Sequence, residues 1–280
     1  MKYIKLEFSL ADDFHEQFIA ELLDLDFYGF EQFDDKLVAY VEASRFNDTN
    51  REYIEQILAV FPGGSFSEIT EIEEQNWNRA WEETIKPQRI GRFLVKPTWS
   101  KESAGSDEIL LEIDPKMSFG TGYHATTRLM LRQIGKLDLK GKKVMDAGTG
   151  TGILAIAAVK VGAANAIGFD TDPWCQKNAH ENVLINKVEK QVEIRIGGIE
   201  QIKKNEMFDC TLANINRNVI LEIIPFLVHH TKTGGTICLS GLLESDEEIV
   251  REKLANEPVQ IVEMQQEVEW ILFQIEKLEG

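Results

Sequence analysis

The stretch that most constrains this chain is Val144-Met145-Asp146-Ala147-Gly148-Thr149-Gly150-Thr151-Gly152, followed without a break by Ile153-Leu154-Ala155-Ile156-Ala157-Ala158. An apolar run ends in a carboxylate, glycine recurs at every second position, and a helix-forming segment begins, which predicts strand, tight loop, helix. Glycine recurs because the loop takes backbone angles closed to other residues and lets a ligand lie against bare main chain. The turn has the shape of a nucleotide site, and its spacing narrows the ligand. Dinucleotide folds use Gly-x-Gly-x-x-Gly with a pyrophosphate over the helix N-terminus. Here the pattern is Asp-x-Gly-x-Gly-x-Gly, and no phosphate-loop lysine follows.

The next strand, Ala166-Ile167-Gly168-Phe169-Asp170, ends in a carboxylate 22 residues after Gly148. Doubly wound folds place there the acid that grips ribose hydroxyls; the plainer alternative is a cap for the helix opened by Pro173. From Lys142 onward strand and helix alternate. Helices are expected from Ile153, over Trp174–Asn186, Ile220–His230 and Asp246–Leu254, and strands over Val192–Ile196, Phe208–Ile215 and Thr236–Ser240. Val259–Val268 and Trp270–Ile275 close the chain as a hairpin. Alternation of this kind predicts an α/β, doubly wound, Rossmann-like sheet, mainly parallel with one antiparallel addition, and ligands outside the carboxyl ends of its strands. The fourth strand ends in Ala213-Asn214-Ile215-Asn216, which places Asn214 at that crevice or, alternatively, in an ordinary turn.

The front of the chain follows another rule. Ile4, Leu6, Phe8 and Leu10 alternate with Lys5, Glu7 and Ser9, a half-buried strand. Phe14, Phe18, Ile19, Leu22 and Leu23 fall at helical spacing, Asp34-Asp35 separates two strand-like runs, and Ile54, Ile57, Leu58 and Phe61 mark a second helix stopped by Pro62-Gly63-Gly64. With Ser65–Ile72 as a poorly alternating last strand, the order is that of a small ferredoxin-like α+β domain. A linker helix carrying Trp77 and Trp81 is expected over 73–91, and the doubly wound domain over 92–280. Asp114 to Thr127, rich in Gly, Ser and Thr, reads as a loop that enters a helix near His124 and folds over the crevice. His124 has no second ligand at metal spacing, so capping or orientation is its expected role, and no metal site is expected.

Formal net charge is -17, which argues against nucleic acid as a direct partner. Residues 1–70 hold 5 basic and 15 acidic side chains, a surface suited to a basic partner or to solubility alone. No apolar run is long enough for a membrane span. Cys175, Cys210 and Cys238 are scattered among apolar neighbours, which fits reduced thiols of a cytoplasmic protein.

The glycine turn resembles the first motif of class I S-adenosylmethionine-dependent methyltransferases. The whole chain resembles the bacterial family that methylates large-subunit ribosomal protein L-eleven, the PrmA family. The resemblance rests on the small first domain, Phe119-Gly120-Thr121-Gly122 with His124 and Thr126-Thr127, Asp146 to Gly152, Asp170, Ala213-Asn214-Ile215, and Gly234-Gly235 through Ser240-Gly241. It implies S-adenosylmethionine as cofactor, held by Thr127, Gly148 and Asp170, with Asn214 near the methyl group. Asp146 and Gly150 of the same turn are further expected contacts, and the place of Asn214 at a strand end would let it orient an acceptor amine. The resemblance further implies a first domain (1–72) that recognises the basic ribosomal protein and trimethylation of lysine and N-terminal amines; a monomer without an obligatory general base is expected. The alternatives are a methyltransferase of another protein or a small molecule, and a non-catalytic cofactor-binding module. Lys116, Tyr123, Ala125, Ala147-Gly148-Thr149 and Asn216-Arg217 depart from the family pattern.

Overall fold

The computed structural model describes residues 2–23, 25–27, 29–73, 85–114, 116 and 118–279. The linker-helix tryptophans Trp77 and Trp81 lie outside the described residues. The chain divides into two compact units, Met1–Ala80 and Trp81–Gly280.

The first unit runs β1 (Lys2–Ser9), α1 (His15–Leu23), β2 (Gly29–Phe33), β3 (Lys36–Glu42), α2 (Asp48–Leu58) and β4 (Ser65–Glu73). Its sheet order is β2-β3-β1-β4, with every neighbouring pair antiparallel, the ferredoxin-like arrangement. One face of the sheet carries Leu6, Phe8, Leu37, Ala39 and Val41 into a core closed by Phe18 and Leu22 of α1 and Ile54 and Leu58 of α2. Phe8 and Phe18 meet edge to face at 4.9 Å. The poor alternation of β4 has a cause: Glu7 pairs with Glu68 but Phe8 pairs with Phe66, so Ser67 is an extra residue in a bulge.

The second unit opens with a three-stranded sheet, β5 (Gln88–Ile90), β6 (Phe93–Lys96) and β7 (Ile109–Glu112). Residues 88–90 fall within the expected linker and instead form a strand, because Gly91 at φ 59° turns the chain so that Ile90 pairs with Phe93. Next come α3 (Ala125–Lys136), β8 (Lys143–Ala147), α4 (Ile153–Lys160), β9 (Asn165–Asp170), α5 (Pro173–Ile185) and β10 (Val192–Ile196). The chain continues through β11 (Phe208–Asn214), α6 (Arg217–His230), β12 (Thr231–Leu243), α7 (Glu247–Leu254), β13 (Val259–Glu267) and β14 (Trp270–Lys277).

The main sheet has the order β10-β9-β8-β11-β12-β14-β13. Pairing is parallel from β10 to β12 and antiparallel for β14 on both sides. Side chains alternate across it: Val144 and Leu212 enter the core under α3, α4 and α5, while Met145 and Ala213 enter the core under α6 and α7. Helix α4 is buried from Ile153 to Val159, because it lies between the main sheet and β7; its lysine, Lys160, escapes by donating to the Leu110 carbonyl at 2.8 Å. The strand order reverses between β8 and β11, which opens a crevice at their carboxyl ends.

Candidate active site

That crevice is a cavity of about 670 Å³, within the range of roughly 300–1,000 Å³ typical of small-ligand sites. Gly148 and Gly150 line it, with Asp170, Asn214 and His124. The glycine turn after β8 is folded by necessity. Gly148 sits at φ 70°, and a Cβ there would lie 2.2 Å from the Ile215 methyl. Gly150 sits at φ 54°, and a Cβ would lie 2.4 Å from the Phe119 carbonyl oxygen. The turn is thereby pressed between the loop after β11 and the Phe119 loop. Thr151 fastens the second contact, its N–H donating to Phe119 O at 2.9 Å and its hydroxyl to Gly120 O at 2.7 Å.

Asp146, at the end of β8, lies beneath the turn and does not line the cavity. Its Oδ2 accepts from the Thr149 hydroxyl at 2.6 Å and the Ala155 N–H at 3.2 Å. Its Oδ1 is buried without a partner. Burial pushes its pKa up to about 6, against the pull of those two hydrogen bonds.

Asp170 ends β9 at the cavity wall. Its Oδ2 accepts the Gly150 N–H at 2.9 Å and its Oδ1 the Asp172 N–H at 3.0 Å. Each oxygen keeps a lone-pair site for a ligand. The cap of α5 is Asp172, whose carboxylate accepts the Trp174 N–H at 2.9 Å.

Asn214 ends β11, is 8% exposed, and has an Oδ1 with no partner. Its Nδ2 reaches Thr127 Oγ1 at 3.5 Å. Thr127 is fully buried and stands behind the wall; its neighbour Thr126 lines the cavity. His124 caps α3, its Nδ1 2.8 Å from the Thr126 hydroxyl, and its ring lies edge-on to Trp270 at 4.5 Å. Burial and Arg128 push its pKa down. Asn216 caps α6 and Arg217 pairs with the buried Asp246 at 3.0 Å, so both departures near the site have local structural partners.

Sequence reasoning passed over Trp270, Cys175, Ile199 and Glu222, which also line the cavity. The signal for Trp270 was available: an antiparallel β14 brings its first residue to the carboxyl edge of the parallel strands, where Trp270 pairs with Leu243. Among the described residues no Lys or Arg lines the cavity, whereas four carboxylates do, those of Asp170, Asp172, Glu200 and Glu222. Such a lining rejects phosphates and suits a cationic nucleoside with a free ribose diol. All three cysteines are free and buried. Among the described residues no group of His, Cys, Asp and Glu is placed to hold a metal, and no helix is long and apolar enough to cross a membrane.

Comparison with known proteins decides the family. The family described as Ribosomal protein L11 methyltransferase (PrmA) matches residues 16–278. The chain belongs to this family. A ribosomal protein L11 methyltransferase of Chlorobaculum parvum is 40% identical over 279 residues, covering 98% of this chain and 96% of the relative. That of Chlorobaculum tepidum is 39% identical, covering 96% and 94%. A crystal structure of the ribosomal protein L11 methylase from Lactobacillus delbrueckii subsp. bulgaricus superimposes with a TM-score of 0.65 at 27% identity, covering 70% of this chain and all (100%) of that one. The PrmA-family fold is that of class I S-adenosylmethionine-dependent methyltransferases, and the seven-stranded order with antiparallel β14 between β12 and β13 agrees with it. The cavity's glycines and carboxylates fit the sulfonium cofactor of such enzymes.

Proposed function

We propose that this chain transfers methyl groups from S-adenosylmethionine to lysine side-chain and N-terminal amines of ribosomal protein L11, in the cytoplasm and as a monomer. The observation that carries the reading is the cavity at the switch point, between the glycine turn and Asp170, lined among the described residues by carboxylates and by no Lys or Arg.

Bound there, S-adenosylmethionine supplies an activated methyl group on a good leaving group, so the protein's work is to position and to exclude water. Gly148 and Gly150 would offer bare backbone to the amino acid end of the cofactor, and Asp170 would accept hydrogen bonds from its ribose hydroxyls. Asp146 and Thr127 act from behind, Asp146 by holding the turn through Thr149 and Ala155 and Thr127 by steadying Asn214.

An acceptor lysine must arrive without its proton, although its free pKa is about 10.4. Contact with Phe119, Ile215 and Trp270 would remove water from the ammonium and favour loss of its proton to solvent, against the pull of the cavity carboxylates. The Asn214 oxygen then accepts an N–H of that amine and aims its lone pair; being uncharged, it takes no proton. Residues 1–72 dock the basic protein substrate through their acidic surplus.

The test is incubation of the purified protein with labelled cofactor and a ribosomal extract. Label on L11 alone is expected, and label confined to RNA or small molecules overturns the proposal.

A further inference from the structure

Strand β7 pairs with β6 along one edge, where the Ile113 N–H still reaches Lys96 O at 2.9 Å. Among the described residues its other edge has no neighbouring strand, and from β7 the chain runs on to the loop that walls the cavity with Phe119 and His124. Helix α5 supplies the missing partner with side chains. Asn178, Asn182 and, just past its end, Asn186 recur every fourth residue on one face, roughly 6 Å apart, close to the roughly 6.6 Å between alternate residues of an extended chain.

Their amides make the bonds of an absent strand. Asn186 accepts the Glu112 N–H at 3.1 Å and donates to the Glu112 carbonyl at 2.6 Å. Asn182 accepts the Asp114 N–H at 2.9 Å and donates to Asp114 O at 3.3 Å, and Asn178 donates to the same carbonyl at 2.8 Å. All three asparagines are buried, Asn182 completely.

Asn182 does more than hold the strand end, since its Nδ2 also donates to Thr151 O at 2.9 Å. Thr151 is the residue whose N–H and hydroxyl hold Phe119 and Gly120. The circuit therefore closes: Asn182 to Asp114, along the loop to Phe119, across to Thr151, and back to Asn182. Asparagine is a poor residue for a helix interior, and its recurrence on one face answers the loop, not the helix.

We propose that Asn182, supported by Asn178 and Asn186, is a positioning residue that clamps the Phe119 loop and the glycine turn in the spacing that receives the cofactor. The inference rests on the reading that the cavity takes S-adenosylmethionine, and none of the three amides touches the cavity itself.

The experiment uses the full chain and two variants. Asn178→Ala removes one bond; Asn182→Asp keeps the acceptor for the Asp114 N–H and removes the donors to Asp114 O and Thr151 O. Amide hydrogen exchange without cofactor, calorimetric Kd for S-adenosylmethionine, and kcat on L11 at saturating cofactor are measured. In both variants the Thr151 amide exchanges faster and Kd rises, while kcat stays within about twofold because no group at the methyl changes. The rise in Kd is about three- to tenfold for Asn178→Ala, the scale of one lost buried hydrogen bond. It is larger for Asn182→Asp, which loses two donors and sets an oxygen against the Asp114 and Thr151 carbonyls. A folded variant with unchanged exchange and Kd, beside a wild type that binds, overturns the clamp. A wild type that binds no S-adenosylmethionine overturns the reading of the cavity, and the clamp's role in cofactor binding with it.

Discussion

Asp146 carries a carboxylate to 0% exposure at the end of a central strand, and the physical consequence is a pH dependence. Its ordinary pKa of 3.8 is raised by burial to about 6 in the folded protein. The folded state therefore binds the proton more tightly than the unfolded chain. The contribution to stability is fully present below about pH 3.8, declines as pH rises through about 6, and is absent above. A displacement of that size is worth roughly 3 kcal/mol. In Asp146→Asn this dependence is removed, so the stability of the variant relative to wild type should rise between pH 4 and pH 7 by up to roughly 3 kcal/mol. Urea denaturation across that range measures it, and a flat difference would show that the carboxylate stays ionised. At the cavity wall, Asp170→Ala is expected to lose roughly 1–3 kcal/mol of cofactor affinity by calorimetry. Asp172→Ala, which removes the cap of α5 and one of the four cavity carboxylates, should cost about 1 kcal/mol of stability and lose less affinity than Asp170→Ala; equal affinity losses would mean that the ribose end has been misassigned.

The glycine turn makes its prediction as an element. Both glycines have positive φ, but their obstructions differ: a Cβ on Gly148 meets a side-chain methyl of Ile215, which can rotate away, and a Cβ on Gly150 meets the Phe119 carbonyl, which is backbone. Gly150→Ala should therefore lower Tm more than Gly148→Ala, by several degrees for each roughly 1 kcal/mol of added strain. Thermal melts that rank the two the other way would refute the argument. Elements of this kind were legible in the sequence because their causes are local. The turn announces itself by spacing, the first unit's helices by periodicity, and the last hairpin by its position after the alternating segment. The short β5 was not legible, since three residues carry no period and only Gly91 marks its turn. The asparagine face of α5 shows in the sequence as a spacing, but what it binds does not, because its partners Glu112 and Asp114 lie far away in sequence and the hydrogen bonds are to backbone.

Across the whole molecule, charge divides unevenly, with 15 acidic and 5 basic side chains in the first 70 residues. Deleting residues 1–72 should leave cofactor binding intact and reduce L11 methylation on the order of tenfold or more, since steering by complementary charge accelerates encounter by that order or beyond. The full chain should also slow as salt rises from about 0.1 M to 1 M, where the Debye length falls from about 10 Å to 3 Å. Methylation that ignores both the deletion and the salt would remove the acidic unit from substrate recognition.

By itself the sequence determined the two folds and the identity of the turn, because burial patterns repeat within a few residues and each periodic face must find a core. It also named Gly148, Gly150, Asp170 and Asn214, whose places follow from standing at strand ends in a sheet of known winding. Only the tertiary structure decided that Asp146 and Thr127 stand behind the cavity, that Trp270 enters it from an inserted antiparallel strand, and that Asn182 ties the loop to the turn. Those relations depend on which distant backbone passes each side chain, and no short-range pattern encodes that.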